Sequence, residues 1–204
     1  ADTNGGHIQP VLGIGLEKQL TESQAGALQG YQGMGPVRIG NQAHEHSQHD
    51  TYGNVILGAA PAFFDQRLRM GIGQHAFELL EPLGEQAWAL HTQPDAGIWE
   101  LRTRSRIHTS SSLMCWAACD RLAKIAAHLD LAAKAAFWNK RAEDIRTKIL
   151  AEAWSEKRQA FVESFGGETL DASVLLMGEV NFLPPTDERF KLTVDALSRT
   201  LGRG

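Results

Sequence analysis

Long helical patterns dominate the chain from about residue 43 onward. Apolar residues recur at spacings of three and four, which predicts six helices separated by turn-forming segments. We expect Asp130 to cap the start of the fourth helix and Thr186 that of the sixth. The predicted ranges are Ala43–Leu68, Gly73–Leu90, Thr109–Leu129, Leu131–Trp154, Leu170–Phe182 and Asp187–Leu201.

The third and fourth predicted helices differ in how their apolar residues are distributed. Those of the third helix, between Leu113 and Ala126, occupy nearly every side, which predicts a helix wrapped by protein. Those of the fourth, between Leu131 and Ile149, occupy one face. Such a pair is typical of the inner and outer helices of a hairpin. Three hairpins would form an open arc, whose uncovered edge faces predict self-association.

The first 42 residues have a different character. They are rich in glycine, and the short segments Ile8–Ile14 and Pro36–Ile39 are predicted to be extended. We therefore expect loops and short strands over residues 1–42 and helical hairpins over residues 43–204, within one all-α domain fragment.

Composition and charge narrow the classes of partner. The chain has 204 residues, 43% of them hydrophobic, and 20 Lys plus Arg against 24 Asp plus Glu. The net charge of -4 gives no electrostatic reason to expect nucleic acid or an anionic membrane, so a neutral substrate fits better. The sequence shows no membrane-spanning run and no signal-peptide pattern at Ala1, which favours a cytoplasmic location.

The cysteines and histidines are the candidate metal or redox ligands of the chain. Cys115 and Cys119 lie four apart on one helical face, and a buried reduced pair is favoured over a disulfide or a metal or redox role. The run from His44 to His49 resembles a zinc motif, but Gln48 stands where H-E-x-x-H needs histidine, and only His46 and His49 would pair. We therefore expect no metal, and solvated or hydrogen-bonded histidines instead.

The loop after Pro94 carries the strongest candidate for catalysis. Trp99 directly precedes Glu100, and burial of the carboxyl group against the indole would raise its pKa and keep it protonated, as a general acid requires. The indole would also stack on a sugar. The alternative is an exposed loop glutamate paired with Arg102.

Three blocks of sequence resemble glycoside hydrolase family 15, which includes bacterial glucoamylases, glucodextranases and trehalase-like enzymes. The central block joins the motif Gly97–Arg102 to His108–Ser111 and to Met114–Arg121 within the third predicted helix. The other blocks keep the family's order and spacing on either side, at 36–43 and 48–53 upstream and at 160–162, 170–173 and 182–184 downstream.

The resemblance implies a fold and a reaction. The fold would be part of an (α/α)6 barrel, with the substrate bound where the inner helices converge. The reaction would be hydrolysis of an α-glucosidic bond with inversion, without a cofactor, and Glu100 would match the general acid. The resemblance also implies substrate contacts by Trp99, Arg102, Arg38, Asn41, Gln48, Asp50 and His108. For Arg38, Asn41, Gln48 and Asp50 the alternative is a structural role in holding the loop. Asp120 and Asp171 are interpreted as helix-face or capping residues.

Two elements of the family pattern have no counterpart in these 204 residues. They are the glutamate that serves as general base, expected downstream, and an upstream block that grips the terminal glucose. The chain is thus expected to correspond to the middle of the catalytic domain. Glu163 and Asp50 remain as local candidates for a base. The alternative function is a noncatalytic remnant or a carbohydrate-binding or interaction module.

Overall fold

A computed structural model describes residues 8–68, 72–101 and 104–202. Within them the chain is mostly helical, with two short antiparallel strand pairs, β1 with β2 and β3 with β4. The strands are β1 (Ser23–Gln24), β2 (Arg38–Ile39), β3 (Trp154–Ser155) and β4 (Ala160–Phe161). The helices are α1 (Asp50–Ala59), α2 (Pro61–Phe64), α3 (Gln74–Leu90), α4 (Thr109–His128), α5 (Ala132–Glu152), α6 (Leu176–Glu179) and α7 (Glu188–Leu201).

Helix α4 lies at the centre of the molecule. Fifteen of its residues are buried, and it packs against α1, α3 and α5, as its apolar residues on every side predict. Helix α5 buries one face, on which Trp138, Ile145 and Ile149 are fully enclosed. The predicted pairing of an inner helix with an outer one is therefore confirmed for α4 and α5.

Helices α1 and α4 approach each other closely at a glycine. A Cβ atom at Gly53 would lie 2.3 Å from the carbonyl oxygen of Met114, so no side chain fits between the two backbones. Both helices begin at the same end of the molecule, because Asp95 bonds His49, the N-cap of α1, and Ser111, in the first turn of α4. This end carries the candidate site.

Two of the six predicted helices are much shorter or more broken than expected. The range predicted as Ala43–Leu68 consists of a 3-10 turn at Gln42–Glu45, an irregular segment, α1, α2 beginning at Pro61, and a second 3-10 turn. The range predicted as Leu170–Phe182 holds a 3-10 turn at Ala172–Leu175 followed by α6.

Local predictions at three other positions were wrong. Ile8–Ile14 forms no strand, because the chain turns between Gly13 and Glu17, and β2 pairs with Ser23–Gln24 instead. Asp130 adopts a positive φ of 59° and leaves Leu131 as the N-cap of α5, without a side-chain cap. Asp187, rather than Thr186, caps α7 by accepting hydrogen bonds from the next turn.

The cysteine prediction is confirmed. Cys115 and Cys119 are both free thiols and both fully buried in the core around α4. Burial raises the pKa of Cys115 well above its usual range and that of Cys119 to about 12.

Among the helices in the described ranges, none combines the length and the apolar character that a membrane-spanning helix needs.

Candidate active site

The loop that carries Glu100 is a tight turn in a conformation that most residues avoid. Gly97 has a φ of 68° and Glu100 a φ of 51°, and the Glu100 N–H donates to the Gly97 carbonyl oxygen at 3.1 Å. A Cβ atom at Gly97 would lie 2.7 to 2.8 Å from the His108 ring, so only glycine allows this contact. Glu100 itself is half-buried.

Asp95 fastens the beginning of this loop to the first turns of two helices. Its side chain is 1% exposed, and Oδ2 accepts from the His49 N–H at 2.9 Å and from the Ser111 hydroxyl at 2.7 Å. Its backbone pairs with Arg106 in both directions, at 2.9 and 3.2 Å. Asp95 therefore closes the loop at its base. Asp95 was not among the predicted site residues, although an aspartate in a turn is a common hydrogen-bond acceptor.

Trp99 is held at the other side of the loop. Its indole Nε1–H donates to Asp171 Oδ2 at 2.8 Å, while Asp171 Oδ1 accepts from the Ser173 N–H at 2.8 Å. The interpretation of Asp171 as a capping residue is thus correct, but its carboxylate has this second role. Trp99 remains 56% exposed.

A hollow of about 310 Å³ opens beside the loop, between α1, α4 and α6. We call it the α1–α4 hollow. Its polar lining comes from Asp50, Asn54, Ser110, Arg121 and Glu179, and its apolar lining includes Ile98. A second hollow of about 250 Å³, the tryptophan hollow, shares Ile98, Leu176 and Glu179 with the first and is lined by Trp99.

Asp50 is a buried carboxylate at this end whose pKa is shifted by its surroundings. It is 8% exposed, and Asn54 donates to its Oδ2 at 3.1 Å. Burial raises the pKa of Asp50, and the nearby charge of Asp95 raises it further. Asp50 is thus a buried acid at the first turn of α1 with one edge on the α1–α4 hollow.

A second buried group lies behind the loop. His108 is 4% exposed, and its Nδ1 lies 4.0 Å from Oε1 of Glu163, which is 3% exposed. Arg104 approaches the same carboxylate oxygen at 3.7 Å. Because the His108 ring supports Gly97, its position is one of support beneath the loop, and its predicted contact with sugar stays a prediction.

The remaining predicted site residues have different surroundings. Arg38 pairs with Glu22 at 2.8 Å on the β1–β2 hairpin, and Asn41 caps a 3-10 turn through the Ala43 N–H at 2.9 Å. Gln48 is buried directly before α1, close to the Asp95 anchor. Arg102 lies outside the described residues.

No group of three histidine, cysteine or acidic side chains arranged to hold a metal occurs in the part of the chain that the structure describes. His44 instead contacts the Asn41 carbonyl oxygen at 2.8 Å.

Comparisons with known proteins agree on one family. The family model described as Glycosyl hydrolases family 15 matches residues 2–203. Trehalase of Mycobacterium tuberculosis (strain ATCC 25618 / H37Rv) is 36% identical over 202 residues, which is 98% of this chain and 29% of that protein. Trehalase of Mycolicibacterium smegmatis (strain ATCC 700084 / mc(2)155) is 35% identical over 95% of this chain and 28% of that protein. The chain therefore spans less than a third of the length of these curated relatives.

Solved structures give the same fold. A glycosidase variant in complex with glucose superposes with a TM-score of 0.61 at 22% identity, over 85% of this chain and 47% of that one. A second glycosidase variant gives the same score and coverage. The prediction of an all-α fold that forms part of a helical barrel is confirmed.

Proposed function

The chain belongs to family 15 of the glycosyl hydrolases, and from that premise we propose that it forms the acid-bearing part of an enzyme that hydrolyses α-glucosidic bonds. In this proposal Glu100 protonates the departing glycosidic oxygen. A carboxylate on the opposite face of the sugar activates water, so that the anomeric centre is inverted.

The observation that carries the proposal is the way the Glu100 turn is held. A non-glycine residue at φ 51° is uncommon, and such conformations persist where the surrounding structure enforces them, often at active sites. Here the turn is fastened by Asp95, supported by His108 beneath Gly97 and tied through Trp99 to Asp171. These contacts hold a loop whose Ile98 and Trp99 line two adjoining hollows, two residues and one residue before the half-buried Glu100.

Trehalose is the first substrate to test. The two curated relatives described above are named trehalases, and the two adjoining hollows have polar and apolar linings, as ligand sites do. Trehalose joins two glucose units through their anomeric carbons, so the leaving group is a second glucose. Starch ends and isomaltose-type linkages are the alternative substrates within the same reaction class.

We further propose that the general base is supplied from outside these 204 residues. An inverting pair needs its carboxyl groups roughly 6.5 to 9.5 Å apart with room for water between them. Glu163 is 3% exposed, and its Oε1 lies 3.7 Å from Arg104 and 4.0 Å from His108. Asp50 borders the α1–α4 hollow, where it fits a sugar contact.

The test uses the longest natural polypeptide that contains this chain, incubated with trehalose while the anomer of the released glucose is followed by proton NMR. We expect β-glucose and α-glucose to appear in equal amounts, because the attacked anomeric centre is inverted while the departing glucose keeps its α configuration. Retention would release α-glucose alone. Glu100→Gln should lower kcat by a factor of about 10² to 10⁴, the usual contribution of a positioned general acid. Glu156→Gln is the matched control, because Glu156 is an exposed carboxylate whose side chain contacts Gln159.

A second substrate separates acid catalysis from general damage. Fluoride leaves α-glucosyl fluoride without needing a proton, so Glu100→Gln should hydrolyse this substrate at nearly the wild-type rate. An equal loss on trehalose and on the fluoride would contradict the role of Glu100. Absence of hydrolysis with every α-glucoside, together with measurable sugar binding, would favour the noncatalytic module.

A further inference from the structure

We propose that Asp171 is a positioning residue that fixes the indole of Trp99, so that one ring face is held ready for the sugar of an α-glucoside. This inference rests on the proposed function, because it assigns a specific task to a residue beside the proposed acid.

The geometry of Asp171 shows two separate bonds from one carboxylate. Oδ1 accepts from the Ser173 N–H and Oδ2 from the Trp99 indole N–H, each at 2.8 Å. The first bond fixes the carboxylate at the start of the 3-10 turn Ala172–Leu175. The second reaches 72 residues back along the chain to the Glu100 loop. Hydrogen bonds to an ionised acceptor are among the stronger ones.

The tether acts on the orientation of the indole. An exposed side chain ordinarily changes rotamer within nanoseconds, and Trp99 is 56% exposed. A bond to the ring nitrogen fixes one edge of the indole and leaves its faces uncovered. Aromatic faces are large apolar contact surfaces, and ordering such a surface before a ligand arrives lowers the entropy lost on binding.

The surroundings of the indole indicate what it would contact. Trp99 lines the tryptophan hollow together with the turn that Asp171 caps, and that hollow adjoins the α1–α4 hollow through Ile98, Leu176 and Glu179. Glu100 directly follows Trp99. A sugar stacked on the indole would therefore contact the residue next to the proposed acid. Asp171 would act on substrate binding through Trp99.

The kinetic test is a double-mutant cycle in the longest natural polypeptide that contains this chain, with trehalose as substrate. Trp99→Phe keeps an aromatic ring and removes the N–H donor, and Asp171→Ala removes the acceptor. We expect each variant to raise KM about tenfold while kcat changes little, the signature of lost binding that ground and transition states share. The double variant should be no worse than the poorer single variant, because both lose the same bond.

Asp187→Ala is the matched control for the lost cap. Asp187 accepts hydrogen bonds from Arg189 and Phe190 at the start of α7, so its removal costs a cap without touching Trp99. We expect it to keep the wild-type KM. The proposal would be overturned if the increases in KM of the two single variants multiplied in the Trp99→Phe/Asp171→Ala variant. A wild-type KM for Trp99→Phe would overturn it as well.

A readout without catalysis keeps this inference distinguishable from the proposed function. Emission of Trp99 is isolated by subtracting the spectrum of the matching Trp99→Phe variant, and its anisotropy decay is recorded. The tethered indole should show slow tumbling only, and Asp171→Ala should add a fast component that Asp187→Ala does not. Identical decays with and without Asp171 would refute the tether even in an active enzyme. In a protein that hydrolyses no α-glucoside, the decay still decides whether Asp171 fixes Trp99.

Discussion

Substitution of two glycines in the same helix tests whether α1 and α4 must touch for the site to form. Gly53 and Gly58 both lie in α1. A Cβ atom at Gly53 would meet the Met114 carbonyl oxygen at 2.3 Å, whereas one at Gly58 would meet nothing within 4 Å. The pair Gly53→Ala and Gly58→Ala therefore adds the same methyl group once against a neighbouring backbone and once toward open space.

The two expected changes in the free energy of unfolding have opposite signs. Alanine is favoured over glycine inside a helix by about 0.5 to 1 kcal/mol, which should stabilise Gly58→Ala by that amount. Gly53→Ala gains the same term but loses about 1 to 3 kcal/mol to overpacking, because a backbone carbonyl cannot swing aside as a flexible side chain can. Because the clash is with backbone, we expect about 2 to 3 kcal/mol of overpacking, which leaves a net loss of about 1 to 2.5 kcal/mol for Gly53→Ala.

Thermal unfolding followed by far-UV circular dichroism measures both changes. For a chain of this size, 1 kcal/mol shifts Tm by about 2 to 4 °C, so Gly58→Ala should melt above the wild type and Gly53→Ala clearly below it. Gly53→Ala should also reduce hydrolysis, because separating the helices displaces Asp50, one turn earlier on α1. A Tm for Gly53→Ala equal to or above that of Gly58→Ala would refute the close approach.

Buried ionisable groups lead to three further predictions. Burial and the charge of Asp95 raise the pKa of Asp50, so the folded state loses stability as pH rises through that pKa. Urea unfolding should show Asp50→Asn to be more stable than the wild type at pH 7, with an advantage that shrinks toward acid pH. Equal stability of the two proteins at pH 7 would contradict this prediction. Buried Cys115 and Cys119 should resist a thiol reagent until denaturant is added, and rapid labelling of the folded protein would contradict this. Because burial raises the pKa of Cys119 from 9.0 to about 12, stability should fall as pH rises through that interval, and less steeply in Cys119→Ala.

The helices that local periodicity predicted well are those whose faces meet the core. The apolar positions of α4 and α5 are buried as their spacing requires, and α3 and α7 begin within one residue of prediction. The first predicted helix is broken because its backbone groups find distant partners. The Ser47 carbonyl accepts from the Ala96 N–H, and the His49 N–H donates to Asp95. Periodicity within one segment cannot reveal such bonds.

The same distinction applies to the candidate site. Trp99 and Glu100 are neighbours in sequence, so a short motif was enough to find them. Asp95 bonds to residues 46 and 16 positions away, and Asp171 bonds to one 72 positions away. The spacing of residues along the sequence does not predict these contacts. They form only when the helices pack, and they are the contacts that hold the Glu100 turn.

The end of the molecule that carries Glu100 contains several buried polar atoms that lower the stability of the folded state. Within the described ranges, six residues at this end each have a buried side-chain atom that makes no hydrogen bond to protein: His46, Gln48, Asp50, Asp95, His108 and Glu163. Such atoms usually cost stability, and native proteins keep few of them. Their concentration around one strained turn, beside a well-packed α4–α5 core, is expected where polar groups serve a ligand. If that interpretation is right, Asp50→Asn should gain stability and lose hydrolysis together, because the charge that burdens the folded state is the one that the sugar would use.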